Sequence, residues 1–93
     1  MEIRYSRHLQ TRLKFRGIHP DLPRKIYEEA EERFFDKETG NQVAVKRIEL
    51  YGKERDVMIV YRTQADHAII LTVHPLKEGQ KDNRIASGRW VRL

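Results

Sequence analysis

Apolar residues fall along this chain in two periods, and the switch between them divides it. Leu9 and Leu13 stand four apart among charged neighbours, which is the spacing of one helical face. Leu22, Ile26, Ala30 and Phe34 continue at the same interval and predict a second helix with those four residues as its core face. Ser6 is placed to cap the first helix and Gly17 to end it after Arg16. His19-Pro20 forces an extended link, because proline disfavours helix in the residue before it. Asp21 then stands at the cap of the second helix with Pro23 in its first turn, where a missing N–H does no harm.

Beyond a turn-rich loop at 36–41 the pattern changes. Residues 43–51, 54–62 and 68–73 read as strands, joined at Gly52-Lys53 and at 63–66 by links too short for parallel crossovers. The third run has neither charge nor alternation, which places it in the sheet centre or under the helices, and Pro75 ends it. Residues 2–5 have the pattern of a short edge strand. Residues 77–83 read as an exposed connector, and 84–93 as either a last edge strand or a tail that orders on binding. The fold class expected is therefore α+β, with two N-terminal helices packed on an antiparallel three-stranded meander and a basic C-terminal tail.

The 93 residues suffice for one domain, 1–93, and one core. They leave no volume for a deep pocket beside a cofactor domain, so no cofactor is expected. With 39% hydrophobic residues in patterned segments, the chain is not of the disordered class. The absence of cysteine excludes disulfides and thiolate metal sites, and four histidines without metal-ligand spacing give no metal centre. The N-terminus lacks the apolar run of a signal peptide, and the longest uncharged stretch, 68–75, is too short to cross a bilayer. The expected location is the cytoplasm, without membrane contact.

Net charge is +5, and its distribution is uneven. Residues 1–19 carry five bases against one acid, while 20–40 carry seven acids against four bases. Residues 75–93 again favour bases, five against two. Basic ends flanking an acidic helix concentrate positive potential on one side, which suits a phosphate-rich partner.

Three groups of residues can carry chemistry. His8, Arg12 and Arg16 follow one another at four-residue steps and form a row along one helix edge. Such a row suits an anion lying along the helix; its bland alternative is a solvated edge balanced by the acids of the second helix. Arg84, Arg89 and Arg92 surround Trp90 in the C-terminal segment. Arginine forks bind phosphate and an indole can stack on an unpaired base, whereas a lone tryptophan in a small domain more often closes a core. His74 follows the most apolar strand and, like His8, can act as acid or base near neutral pH or be a partly buried structural histidine.

The segment His8-x-x-x-Arg12-x-x-x-Arg16-Gly17-Ile18 resembles the opening helix of a family of small domains of unknown function grouped with the RelE-type toxin superfamily. The run 68–75, ending in His74-Pro75, is similar to that family's last core strand. Arg84-Ile85-Ala86-Ser87-Gly88-Arg89 resembles the Arg-Ile-x-Ser-x-Arg segment that follows the last strand in BrnT toxins. The resemblance implies a RelE-like α+β fold and the toxin of a type II toxin–antitoxin pair. Its activity would be metal-independent RNA cleavage, on free or ribosome-associated RNA, silenced by an antitoxin protein. His8, His74 and Arg84 are the expected catalytic residues, and Arg12, Arg16, Arg89, Trp90 and Arg92 the expected nucleic-acid contacts. A non-catalytic nucleic-acid-binding module, or a plain protein-interaction domain, would use the same surface.

Overall fold

A computed structural model describes all of residues 1–93. The chain begins with β1 (Glu2–Tyr5), which passes directly into α1 (Arg7–Arg16). Ser6 makes the junction: its hydroxyl accepts from Leu9 N at 3.0 Å and donates to Leu71 O at 3.0 Å, so one side chain caps the helix and fixes it to the sheet. Gly17 ends α1 at φ 62°, a left-handed conformation that glycine adopts without cost, and its N–H reaches back to Leu13 and Lys14 carbonyls.

The second helix, α2 (Leu22–Glu29), has Pro23 in its first turn and is shorter than its apolar spacing predicts. Ala30 turns extended at φ −63°, ψ 131°, and Phe34 belongs to a strand, β2 (Glu32–Asp36). A spacing of four is a multiple of the strand period as well as close to the helical one, so Ala30 and Phe34 could continue either pattern. The adjacent aromatics Phe34 and Phe35 favour the strand.

Next come β3 (Gln42–Leu50), β4 (Lys53–Gln64) and β5 (His67–Pro75), the antiparallel meander the sequence predicts. The β3–β4 hairpin turns through Tyr51 and Gly52, both at positive φ (57° and 74°), the twist that a two-residue hairpin requires. The chain closes with α3 (Gln80–Ala86) and β6 (Trp90–Arg92).

The expected two helices on a three-stranded meander are thus corrected to three helices and a six-stranded mixed sheet, in the order β1-β5-β4-β3-β2-β6. The meander is only its middle. β1 adds in parallel to β5, and β6 adds antiparallel to β2 at the opposite edge. Residues 80–86, expected within an exposed connector and the tail beyond it, are helical, and the expected basic tail ends as an edge strand in the sheet.

A six-stranded sheet has two faces to cover. Leu9, Leu13, Ile18 and Ile26 from the N-terminal helices and their connector pack with Ala44, Val57, Ile59, Tyr61, Ile70 and Val73. Side chains alternate along strands, so Val43, Val45 and Met58 point the other way, where Phe34 and Trp90 join them and Ile85 of α3 packs against them. Phe34 and Trp90 stack with centroids 5.2 Å apart. Burial on both faces explains the unbroken apolar run at Val43-Ala44-Val45.

Candidate functional site

The chain's route past the edge of β5 positions the candidate residues. β1 covers that edge only as far as Ile70. There the β4–β5 register shifts, with Val60 opposite Thr72 and Tyr61 opposite Ile70, leaving Leu71 as an extra residue. Ser6 holds the start of α1 at this irregularity, bonding Ile70 O through its N–H and Leu71 O through its hydroxyl. α1 therefore packs along the remaining length of β5, which ends in His74 and Pro75.

His74 pairs with Met58 and so shares its face of the sheet, the face covered by α3. Arg84, in the last turn of α3, lies with its guanidinium 5.4 Å from the centroid of the Trp90 ring. Three arginines from two helices act on the half-buried imidazole. Burial first, then Arg16, Arg12 and Arg84, push the His74 pKa below its ordinary value of 6.5, because each disfavours a further positive charge. At neutral pH His74 is a neutral base in a cationic field.

The charges in this field lack carboxylate partners. Arg12, Arg16 and Arg84 form no ion pair, and the Arg12 Nε is buried without a hydrogen-bond partner. The acids of α2 do not balance the row on α1; Glu29 pairs instead with Lys46 of β3 at 3.6 Å. A depression of about 330 Å³ lined by Thr11, Arg12, Phe15 and Arg16 lies on α1. A second, of about 410 Å³, is lined by Gln80, Asn83, Arg84, Ser87 and Arg89 on the α3 side. Nowhere are three or more His, Asp or Glu side chains gathered as metal ligands.

No family model, curated protein or solved structure matches this chain.

The remaining expected residues have other engagements. His8 is exposed in the first turn of α1 and is absent from the groups that act on His74, so the row contributes Arg12 and Arg16 to the cluster. Arg89 holds both oxygens of Asp36 at 3.1 Å and reaches Glu38 at 3.3 Å. Arg92 pairs with Glu32 at 3.3 Å and lies 5.1 Å from the Phe34 centroid. Trp90 is 1% exposed, its ring against Phe34 and the Arg84 guanidinium, which matches the core alternative for a lone tryptophan. Of the C-terminal arginines, only Arg84 is among the charges that lower the His74 pKa.

Two residues escape the sequence reading. Asp36 is 4% exposed and anchors Arg89 across 53 residues; in the sequence it looks like any loop acid. Burial would raise its pKa, but bonds from Arg89 and from the backbone N–H groups of Glu38 and Thr39 outweigh that and lower it. Phe15, 89% exposed, is the other. Its only signal is its position, out of phase with Leu9 and Leu13 and between two bases, Lys14 and Arg16.

Proposed function

We propose that this protein acts on RNA through Arg12, Arg16, His74 and Arg84, as a metal-independent ribonuclease of the toxin type. The observation that carries the reading is that Arg12, Arg16 and Arg84 have no carboxylate partner, the Arg12 Nε is buried without a hydrogen-bond partner, and with burial these three charges lower the His74 pKa. Unpaired like charges held together oppose folding and persist more readily where an anion compensates them. A phosphodiester is an anion of suitable shape for guanidinium forks.

The chemistry balances with these groups. Neutral His74 accepts the proton of a 2′-hydroxyl, whose oxygen attacks the adjacent phosphorus and forms a 2′,3′-cyclic phosphate. Arg12, Arg16 and Arg84 offset the charge that develops on the phosphoryl oxygens. The P–O5′ bond breaks, and the leaving oxygen takes its proton from water. An acidic antitoxin protein covering the same arginines would silence the reaction by charge complementarity.

One observation favours a second reading, a non-catalytic nucleic-acid-binding module. Every charged group that shifts the His74 pKa is an arginine, and no second histidine or carboxylate is among them to serve as its partner in catalysis. A single experiment separates the two: RNA binding and RNA integrity are measured with wild type and with the Arg12→Gln/Arg16→Gln double variant. Binding that weakens with salt by about 0.7 log units per log of salt for each phosphate engaged, with a flatter slope in the variant, supports the RNA reading. Cleavage products ending in cyclic phosphate support the ribonuclease; intact RNA with the same binding supports the module. Absence of binding at low salt overturns both.

A further inference from the structure

α1 carries one large apolar side chain that contributes nothing to either core. Leu9 and Leu13 face inward, while Phe15 is 89% exposed, more than any other large hydrophobic residue here. It is not placed at random among polar groups. Together with Thr11, Arg12 and Arg16 it lines the depression of about 330 Å³ described above. Arg12 precedes it by three residues and Arg16 follows it directly, and neither guanidinium has a carboxylate. Thr11 spends the donor of its hydroxyl on Arg7 O at 3.1 Å.

An uncovered aromatic ring flanked by two unpaired arginines matches the two chemistries of a nucleotide, an apolar base and an anionic phosphate. We infer that Phe15 is a stacking platform for an unpaired base, so that the ligand of this face is single-stranded rather than duplex nucleic acid. The inference rests on the RNA reading of Arg12 and Arg16 and deepens it. In a duplex the base faces are stacked on one another and a surface ring cannot reach them; in a single strand every base presents a free face that needs no particular sequence. The surroundings favour an anionic strand over an apolar protein surface: the ring lies among cations, and an apolar contact would first have to desolvate two guanidiniums. Trp90, buried against Phe34, leaves the stacking role to Phe15.

The test uses the full chain, a fluorescein-labelled poly(U) strand, and a duplex of poly(A) with poly(U), each titrated at several salt concentrations. Phe15→Ala and Phe15→Leu weaken binding of the strand about tenfold, within the range found for one base–aromatic stack, and leave duplex affinity unchanged. The salt slope does not move, because no phosphate contact is removed. Phe15→Trp retains the affinity of wild type, and its indole fluorescence is quenched by the strand and not by the duplex. Circular dichroism of all three variants matches wild type, since the side chain is outside both cores.

Unchanged strand affinity in Phe15→Ala and Phe15→Leu overturns the stacking role, while salt-dependent binding that Arg12→Gln/Arg16→Gln weakens keeps the phosphate reading. Equal loss on strand and duplex also overturns it, as does self-association by sedimentation that Phe15→Ala abolishes with strand binding intact. If wild type binds neither probe at low salt, the underlying RNA reading falls and this one with it.

Discussion

His74 illustrates how neighbours, more than residue type, set a side chain's chemistry. Its folded pKa is depressed, so the unfolded chain holds the proton more tightly. Stability is complete above the ordinary value of about 6.5 and is lost as pH falls below it toward the folded pKa. We expect an NMR titration to place the imidazole below 6.5 and Arg16→Gln to move it back up. Asp36 is the carboxylate counterpart: its depressed pKa adds stability that is present above about 3.9 and lost as pH falls through the folded value. Stability measured by urea denaturation as a function of pH should therefore fall over two windows, and His74→Gln should remove the upper one. The ion pairs also differ by environment. Arg89→Ala leaves the nearly buried Asp36 carboxylate uncompensated and should cost about 3 kcal/mol in urea denaturation. Arg92→Ala, from a pair whose arginine side chain is 60% exposed, should cost under about 1 kcal/mol.

Among the elements, β6 and α1 carry the most information. β6 is three residues long, yet Trp90 within it fills the second core. Trp90→Ala should cost about 3–5 kcal/mol, with loss of amide protection across β2 and β6 measured by hydrogen exchange. An unchanged stability would mean that the C-terminal segment is a tail after all. For α1 the decisive contact is the Ser6 hydroxyl, which serves helix and sheet together. Ser6→Ala should cost about 1 kcal/mol from the lost cap. It should also weaken RNA binding, because Arg12 and Arg16 lose the tether that holds them beside β5. RNA affinity equal to wild type would show that the packing of Leu9 and Leu13 is enough to place the row.

At the scale of the molecule, some bases are paired with carboxylates and others are not. Lys81, Arg89 and Arg92 all meet carboxylates, as do Lys46 and Arg47, leaving Arg12, Arg16 and Arg84 among the uncompensated bases. The ribonuclease reading makes a prediction at this scale. His74→Ala should abolish RNA cleavage and growth arrest on induced expression while RNA affinity stays within about threefold of wild type, since a positioned base contributes about a hundred- to ten-thousandfold to rate and nothing to binding. Cleavage at the wild-type rate would transfer the role to the arginines alone.

What the sequence determined by itself is local. Ser6 and Gly17 bound the first helix, the tight link expected at Gly52-Lys53 is a hairpin turn one residue earlier, at Tyr51-Gly52, and the apolar runs at 43–51, 54–62 and 68–73 become β3, β4 and β5. These depend on side-chain period and turn chemistry, which act over a few residues. Of the candidate site, the four-residue row and the histidine before Pro75 were legible for the same reason. Tertiary structure decided the rest. Whether Phe34 extends a helix or begins a strand depends on β3 being there to pair with it. Glu2–Tyr5 finds its partner 65 residues away in β5, and Trp90 finds Asp36 across β2, contacts no local pattern encodes. The six-stranded sheet exposes a second face that needs its own cover, which α3 and Trp90 supply. That second layer also decided the roles of the C-terminal arginines: Arg89 and Arg92 are drawn to acids of β2, and Arg84 is left unpaired against the Trp90 ring, where its charge lowers the His74 pKa. Charge alone could not sort them, because the three are chemically identical until the fold assigns each its neighbours.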